Sequence, residues 1–156
     1  MFLVRRHRPW LSNAGKRLVR SPKAYVTDSG MLCAMQGADA EGLVRSDDLA
    51  GRAMETFVAM ELVRQASFGT WPTEVLHFRD GDQREVDIVL ERPGGAICAI
   101  EVKAGATVTA ADFAGIRAHG RLAGERLVVG VVLYAGASTV AFGDGRYAVP
   151  ISALWS

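Results

Sequence analysis

The clearest pattern along the chain is a helical repeat of apolar positions in DDLAGRAMETFVAMELVRQASF, residues 47–68. Apolar residues recur there at steps of three and four, with acids at the start and an arginine late, as in an amphipathic helix. A shorter helix is predicted over residues 29–36, where Asp28 can cap the first turn and Gly37 can end the last. A polar stretch, residues 38–48, connects the two.

Three apolar runs after the long helix predict strands at residues 74–78, 85–91 and 96–103. The segments RDGDQ and RPGG separate them, and both have the composition of hairpin turns. The three strands are therefore predicted to form an antiparallel meander. One apolar face of the second strand is predicted to lie under one of the two long helices. Its residues are Val86, Ile88 and Leu90.

The next segments predict a second long helix followed by another strand. TAADFAGIRAHGRLAG, with Thr109 as N-cap, has the helical pattern, and RLVVGVVLYAG is apolar throughout. A helix between two apolar strands indicates a parallel crossover onto the same sheet. Short strands are also predicted at residues 24–27, 139–142 and 146–149. The order of elements predicts an α/β fold with a mixed central sheet, an antiparallel meander plus a crossover strand, flanked by helices.

Composition narrows the class of protein. A length of 156 residues with 49% hydrophobic residues suits one domain of ordinary size. Cys33 and Cys98 match no metal-ligand spacing and fit small buried residues in a reducing compartment. No apolar run reaches the ~20 residues that a membrane helix needs, and no signal-peptide pattern opens the chain. The sequence therefore predicts a cytoplasmic protein that has no membrane partner.

Charge is distributed unevenly, although the net charge is only +1. Residues 1–27 contain seven basic residues and no acid, whereas the remainder has eleven basic and seventeen acidic residues. Such a basic arm can contact phosphates, or it can be the solvated end of an element that lies upstream. The arm also carries apolar residues, Trp10 among them, so we expect it to lie at an interface, either with a missing upstream part of the protein or with nucleic acid. Its basic residues are Arg5, Arg6, Arg8, Lys16, Arg17, Arg20 and Lys23.

Three charged residues, Asp87, Glu101 and Lys103, interrupt the apolar strand runs. Side chains two apart on a strand share a face, so Glu101 and Lys103 are expected to point the same way. Burial of an ionised carboxylate costs free energy unless a cation neutralises it. Asp87 on the neighbouring strand adds a second carboxylate to that of Glu101. Mg²⁺ would satisfy such a cluster because it prefers oxygen ligands. The alternative is a simple salt bridge between Lys103 and one carboxylate.

A third acid, Glu55, lies in the long helix between Gly51 and Ala59, whose small size would allow close approach to a sheet. Glu61, the nearby alternative, lies elsewhere around the same helix. We therefore expect Glu55 to reach the cluster.

The order of these charged residues along the chain resembles that of the PD-(D/E)xK nuclease superfamily. It consists of a Glu on a helix, an Asp on the second strand and EVK on the third strand. The resemblance implies the catalytic set Glu55, Asp87, Glu101 and Lys103. More narrowly, five segments resemble, in order, a C-terminal domain of unknown function found behind an AAA+ ATPase module in many bacterial and archaeal ATP-binding proteins. They are KRLVRSPKAYVTDSGML, METFVAMEL, FRDGDQREVDIVLE, AIEVKAG and AVPISALW. The resemblance implies a restriction-endonuclease-like core over residues 24–156. It also implies that residues 1–23 end an upstream linker or winged-helix region.

The same resemblance implies a function. In a metal-dependent nuclease, Glu55, Asp87 and Glu101 would hold Mg²⁺ or Mn²⁺, and Lys103 would steady the attacking water or the scissile phosphate. Two alternatives stay open, a catalytically inactive module that binds or regulates an ATPase, and a plain nucleic-acid-binding domain. The implied partners are an upstream AAA+ ATPase module missing from this chain and DNA, and oligomer formation stays open. No GxxxxGK[ST] motif occurs, so no P-loop for ATP is expected.

Overall fold

A computed structural model describes residues 3–11 and 21–155, and these residues form one mixed sheet with helices on both faces. Its strands are β1 (Val4–Pro9), β2 (Lys23–Val26), β3 (Glu74–Arg79), β4 (Glu85–Glu91), β5 (Ile97–Lys103), β6 (Leu127–Tyr134), β7 (Val140–Gly143) and β8 (Arg146–Pro150). The α-helices are α1 (Ser29–Met35), α2 (Ala40–Arg45), α3 (Asp47–Phe68) and α4 (Ala114–Ala123). Short 3-10 turns lie at Ala110–Phe113, Gly124–Arg126 and Ile151–Trp155. The strand order is β2-β1-β3-β4-β5-β6-β8-β7.

The strand that contains EVK, β5, lies inside the sheet, as predicted. It pairs antiparallel with β4 and parallel with β6, and α4 lies in the connection between β5 and β6. Apolar residues of α3 pack on one face of the sheet and those of α4 on the other, so two hydrophobic clusters sandwich the strands. We call these the α3-side and α4-side clusters. The predicted mixed α/β sheet with a meander and a crossover strand is confirmed.

The long helix α3 has the predicted bounds, and local chemistry explains its start. The Ser46 hydroxyl accepts a hydrogen bond from the backbone N–H of Leu49, and acids occupy the first turn. Asp28 caps α1 through the N–H of Met31, also as predicted. No helix in the described part of the chain is long and apolar enough to cross a membrane.

The helix α2 was not predicted. It lies in the polar stretch of residues 38–48 and begins at the N-cap Asp39, whose carboxylate accepts from the N–H of Gly42 at 2.7 Å. None of its residues is buried. Because the helix buries nothing, its sequence carries no apolar repeat that could have indicated it.

The prediction that Val86, Ile88 and Leu90 share one face is wrong. Val86 packs in the α4-side cluster, whereas Ile88 and Leu90 pack in the α3-side cluster. The register between β3 and β4 shifts at this point, so a β-bulge places an extra residue in β4 next to Asp87. The bulge breaks the alternation of side chains at the position of a predicted site residue.

The described part of the basic arm belongs to the sheet. Strand β1 lies between β2 and β3, and Trp10, which follows it, is 1% exposed within the α4-side cluster. Trp10 thus packs on its own domain. The other large apolar side chains of the arm that the structure describes are exposed, and so are three of its arginines; these residues are Leu3, Val4, Leu11, Arg5, Arg6 and Arg8. The arm's other residues at 12–20, which include Lys16, Arg17 and Arg20, lie outside the described residues. The assignment of residues 1–23 to an upstream region stays a prediction.

Close approach of a helix to the sheet occurs at a different glycine from the one expected. A Cβ at Gly51 would meet nothing within 4 Å, so this residue makes no tight contact. A Cβ at Gly115 of α4 would lie 1.6 Å from the carbonyl oxygen of Glu85. Helix α4 therefore touches the backbone of β4 directly, two residues before Asp87.

Candidate functional site

Lys23 joins two of the predicted site acids. Its Nζ lies 2.6 Å from Glu55 Oε1 and 2.8 Å from Asp87 Oδ1, with Glu85 Oε2 farther away at 3.9 Å. The lysine begins β2, Glu55 comes from α3, and the other two acids come from β4. Three elements therefore meet at one ammonium group. The sequence predicts that Glu55 and Asp87 meet, but it does not predict the lysine between them.

Tyr25 adds a second donor to the same carboxylate. Its hydroxyl donates to Glu55 Oε1 at 2.6 Å, and the carbonyl oxygen of Asp87 lies 3.4 Å away. The ring is buried in the α3-side cluster. Burial and the negative charge of Glu55 raise the pKa of Tyr25, so the phenol keeps its proton and acts as a donor. Lys23 and Tyr25 are two residues apart on β2 and reach the same face.

We expect the Tyr25→Phe variant to lose about 1.5 kcal/mol of unfolding free energy, because a hydrogen bond to a charged group contributes about that much. Urea denaturation of the variant and the wild type measures the loss. Tyr147→Phe is the matched control, since Tyr147 is 39% exposed, and its change should stay within about 0.5 kcal/mol. Equal small changes in both variants would contradict a structural role for the Tyr25 hydroxyl.

The carboxylate of Asp87 also holds the neighbouring strand. The last paired residues of β4 and β5 at this end are Ile88 and Ile100. Next to them, Asp87 Oδ2 accepts a hydrogen bond from the backbone N–H of Val102 at 3.0 Å. One oxygen of Asp87 thus faces Lys23 and the other anchors β5. Burial raises the pKa of Asp87; Lys23 opposes this rise and Glu55 adds to it.

Glu101 is the least satisfied acid of the site. Ile100 and Val102 pack in the α3-side cluster, so alternation directs Glu101 and Lys103 to the α4 side, on one face as predicted. Glu101 Oε2 is buried and has no hydrogen-bond partner among the described residues. Burial, followed by the charge of Asp87, raises the pKa of Glu101 to about 9. The folded protein therefore favours the protonated form of this carboxyl group.

Lys103 has an acidic partner outside the predicted set. Its Nζ lies 2.5 Å from Asp112 Oδ1. Asp112 Oδ2 accepts from the N–H of Thr109 at 2.6 Å and from its hydroxyl at 2.9 Å. Lys103, Glu101 and Asp112 line one open cleft of about 520 Å³. The structure thus places Glu101 and Lys103 together, but the ammonium of Lys103 is engaged by Asp112 and that of Lys23 by Glu55 and Asp87.

Two signals in the sequence could have pointed to the residues that were missed. Thr109 and Asp112 have the spacing of a capping box, which fixes the position of the Asp112 carboxylate. Lys23 and Tyr25 alternate on a short β-prone run, which predicts a shared face. Neither pattern shows which carboxylate the side chains reach.

The carboxylates of the site are oxygen donors of the kind that a divalent cation prefers. Glu55 of α3 and Asp87 of β4 share the Lys23 ammonium, whereas alternation directs Glu101 to the α4 side. Glu101 Oε2, which has no hydrogen-bond partner among the described residues, is an oxygen left for a cation. In the present arrangement, no group of three or more His, Cys, Asp or Glu residues in the described part of the chain is placed to hold a metal ion. The metal-binding role of the three acids stays a prediction.

Comparison with known protein families places these residues in two segments. Residues 50–154 match a domain of unknown function, DUF4143, and this segment contains all four predicted site residues. The chain belongs to the DUF4143 family. Residues 1–42 match a second domain of unknown function, DUF8612, and this segment contains Lys23 and Tyr25. The acids of the site thus lie in the DUF4143 segment, and the cation that bridges them lies outside it.

The curated relatives of this DUF4143 protein include uncharacterized proteins of Mycobacterium bovis and Mycobacterium tuberculosis. Each is 31% identical over 93 residues, which is 60% of this chain and 20% of the relative. The chain therefore spans about a fifth of the length of these relatives. No solved structure matches the chain significantly.

Proposed function

We propose that this DUF4143 domain has a restriction-endonuclease-like core and hydrolyses phosphodiester bonds of nucleic acid with Mg²⁺ or Mn²⁺. The observation that carries the proposal is Glu101, whose Oε2 atom is buried without a hydrogen-bond partner in the described part of the chain and whose pKa is raised beside Asp87. A folded protein bears a large free-energy cost for such a group, and groups of this kind cluster at functional sites. The position of Glu101 on the EVK strand agrees with the resemblance to PD-(D/E)xK nucleases.

The residues of this chain have separate roles in the proposal. Glu55, Asp87 and Glu101 would hold the metal, which when bound makes a coordinated water more acidic and polarises a phosphoryl oxygen. Tyr25 orients Glu55 through its hydrogen bond. Lys103, held by Asp112 at the wall of the cleft, supplies positive charge for a phosphate in that cleft.

Partners follow from the same proposal. DUF4143 domains generally occur with AAA-type ATPases, so we propose an ATPase module as the functional partner of this domain. DNA is the proposed substrate, and the exposed Arg5, Arg6 and Arg8 of β1 are suited to phosphate contacts.

One observation favours a second function, that of a catalytically inactive module which binds or regulates the ATPase. Lys23 already neutralises Glu55 and Asp87, so these two acids form a stable ion-pair network in the absence of metal. Under this alternative, the ion-pair network stabilises the packing of β2 and its partner β1 against the DUF4143 segment and has no catalytic role.

Cleavage of DNA tests the choice between the two functions. Plasmid DNA and single-stranded DNA are each incubated with Mn²⁺ and one of three proteins: the wild type, Asp87→Ala or Asp87→Asn. The Asn variant keeps a side-chain oxygen that can accept the hydrogen bond from the N–H of Val102. We expect cleavage by the wild type and only background cleavage by both variants, because each loses a metal-binding carboxylate. Glu41→Ala, which changes an exposed acid on α2, should cleave like the wild type. Equal, negligible cleavage by all four proteins would contradict the nuclease and favour the inactive module.

A further inference from the structure

The ammonium of Lys23 occupies the space between two carboxylates that the proposed metal would need. Its short distances to Glu55 Oε1 and Asp87 Oδ1 involve one oxygen from each acid. The three side chains are only 24%, 22% and 11% exposed, so solvent screens these ion pairs less than it screens pairs on the surface. A lysine ammonium is a cation at neutral pH, so Lys23 holds a positive charge between the two acids.

From this geometry we infer that Lys23 and a divalent cation compete for Glu55 and Asp87, so that Lys23 sets the metal affinity of the site. The inference rests on the proposed metal-dependent function and adds the residue that regulates it. Mg²⁺ binds carboxylate oxygens at about 2.0–2.1 Å. If the ammonium kept its contacts to the same oxygens, the ammonium and the metal ion would lie within a few ångströms of each other. They would repel each other strongly, because solvent screens charges poorly at this partly buried site.

The position of Lys23 leaves its side chain room to move away from the two acids. Its side chain has a flexible four-carbon stem, and it stands at the first residue of β2, which among the described strands pairs with β1 alone. Tyr25 can stay packed in the α3-side cluster while the ammonium moves. The competition therefore needs a change in one side chain, and it links metal binding to a residue that lies outside the DUF4143 segment.

Titration calorimetry with Mn²⁺ tests the competition. The Lys23→Met variant keeps much of the apolar stem and loses the charge, so we expect it to bind Mn²⁺ at least about tenfold more tightly than the wild type. Arg79→Met is the matched control, because Arg79 pairs with Glu85 at 2.9 Å and makes no ion pair with Glu55 or Asp87. Its affinity should change by less than about threefold. Lys23→Arg, which keeps the charge, should bind as weakly as the wild type.

The outcomes separate this inference from the proposed function. If the wild type binds Mn²⁺ and the Lys23→Met variant binds it no more tightly, the proposed competition between Lys23 and the metal is contradicted. The proposed metal site is then still supported. If neither protein binds, the metal-dependent function itself is contradicted. Removal of the lysine leaves two carboxylates without their cation, so the Met variant is also melted with and without Mn²⁺. We expect the ion to restore a cooperative transition if the metal-free variant unfolds, and failure to do so would contradict the competition.

Discussion

The Glu101→Gln variant should resist the loss of stability that the wild type shows as the pH rises from 6 to 8 in the absence of metal. The pKa of Glu101 rises from 4.5 in the unfolded chain to about 9 in the folded protein, so folding takes up a proton throughout this interval. A proton bound on folding lowers stability by about 1.36 kcal/mol for each pH unit of increase. Glu101 should thus contribute a loss of about 3 kcal/mol over these two pH units, which glutamine cannot cause because it does not ionise.

Urea denaturation at pH 6, 7 and 8 with a chelator present measures this difference. The gap between Glu101→Gln and the wild type should widen with pH, and Glu41→Gln serves as the control for removal of an exposed carboxyl group. Parallel pH profiles for Glu101→Gln and the wild type would show that Glu101 is ionised in the folded protein. Saturating Mg²⁺ in place of the chelator should flatten the wild-type profile, because the ion stabilises the charged carboxylate.

The Gly115→Ala variant should be destabilised by about 3 kcal/mol or more, which exceeds the usual effect of a single added methyl group. The new Cβ would lie 1.6 Å from the oxygen and 2.8 Å from the carbon of the Glu85 carbonyl group. A backbone carbonyl in a strand cannot rotate aside as a side chain can, so α4 must move away from β4. We also expect weaker binding of Mn²⁺, because Glu85 precedes Asp87 by two residues.

Gly51→Ala is the matched control for Gly115→Ala. Both glycines lie inside α-helices, but a Cβ at Gly51 meets nothing within 4 Å. Alanine is favoured over glycine in a helix interior, so the control should gain about 0.5–1 kcal/mol. Thermal melting of both variants should thus give shifts of opposite sign. A stable Gly115→Ala protein would mean that α4 does not contact β4 as described.

Local patterns predicted the elements that form from neighbouring residues. The apolar repeat of α3, the turns around β4 and the apolar run of β6 each carry their own signal, and these elements appear where expected. The strand β1 was missed because VRRHRP has no strand-like alternation, and its partner β3 lies far away in the sequence, with Arg8 opposite Leu76. Pairing over such a separation depends on the rest of the fold.

The candidate site was predicted only in part for a related reason. The sequence indicated that Glu55 and Asp87 would meet and that Glu101 and Lys103 would share a face. It did not indicate the β-bulge at Asp87, because a bulge comes from the register of two paired strands and has no fixed composition. It also could not show that Lys23 would take the position between the acids, since that contact depends on the packing of β2 against α3.

The position of β5 between β4 and β6 has a consequence for the order of events during synthesis. When Lys103 leaves the ribosome, β5 has only the antiparallel neighbour β4, because α4 and β6 follow it in the chain. Translation at about 5–20 residues per second delays the end of β6 by roughly 2–6 s. During that interval the side of β5 that carries Glu101 lacks helix α4, whose first residues line the cleft beside it in the folded protein. The cleft is therefore completed only after the elements that follow β5 have been made.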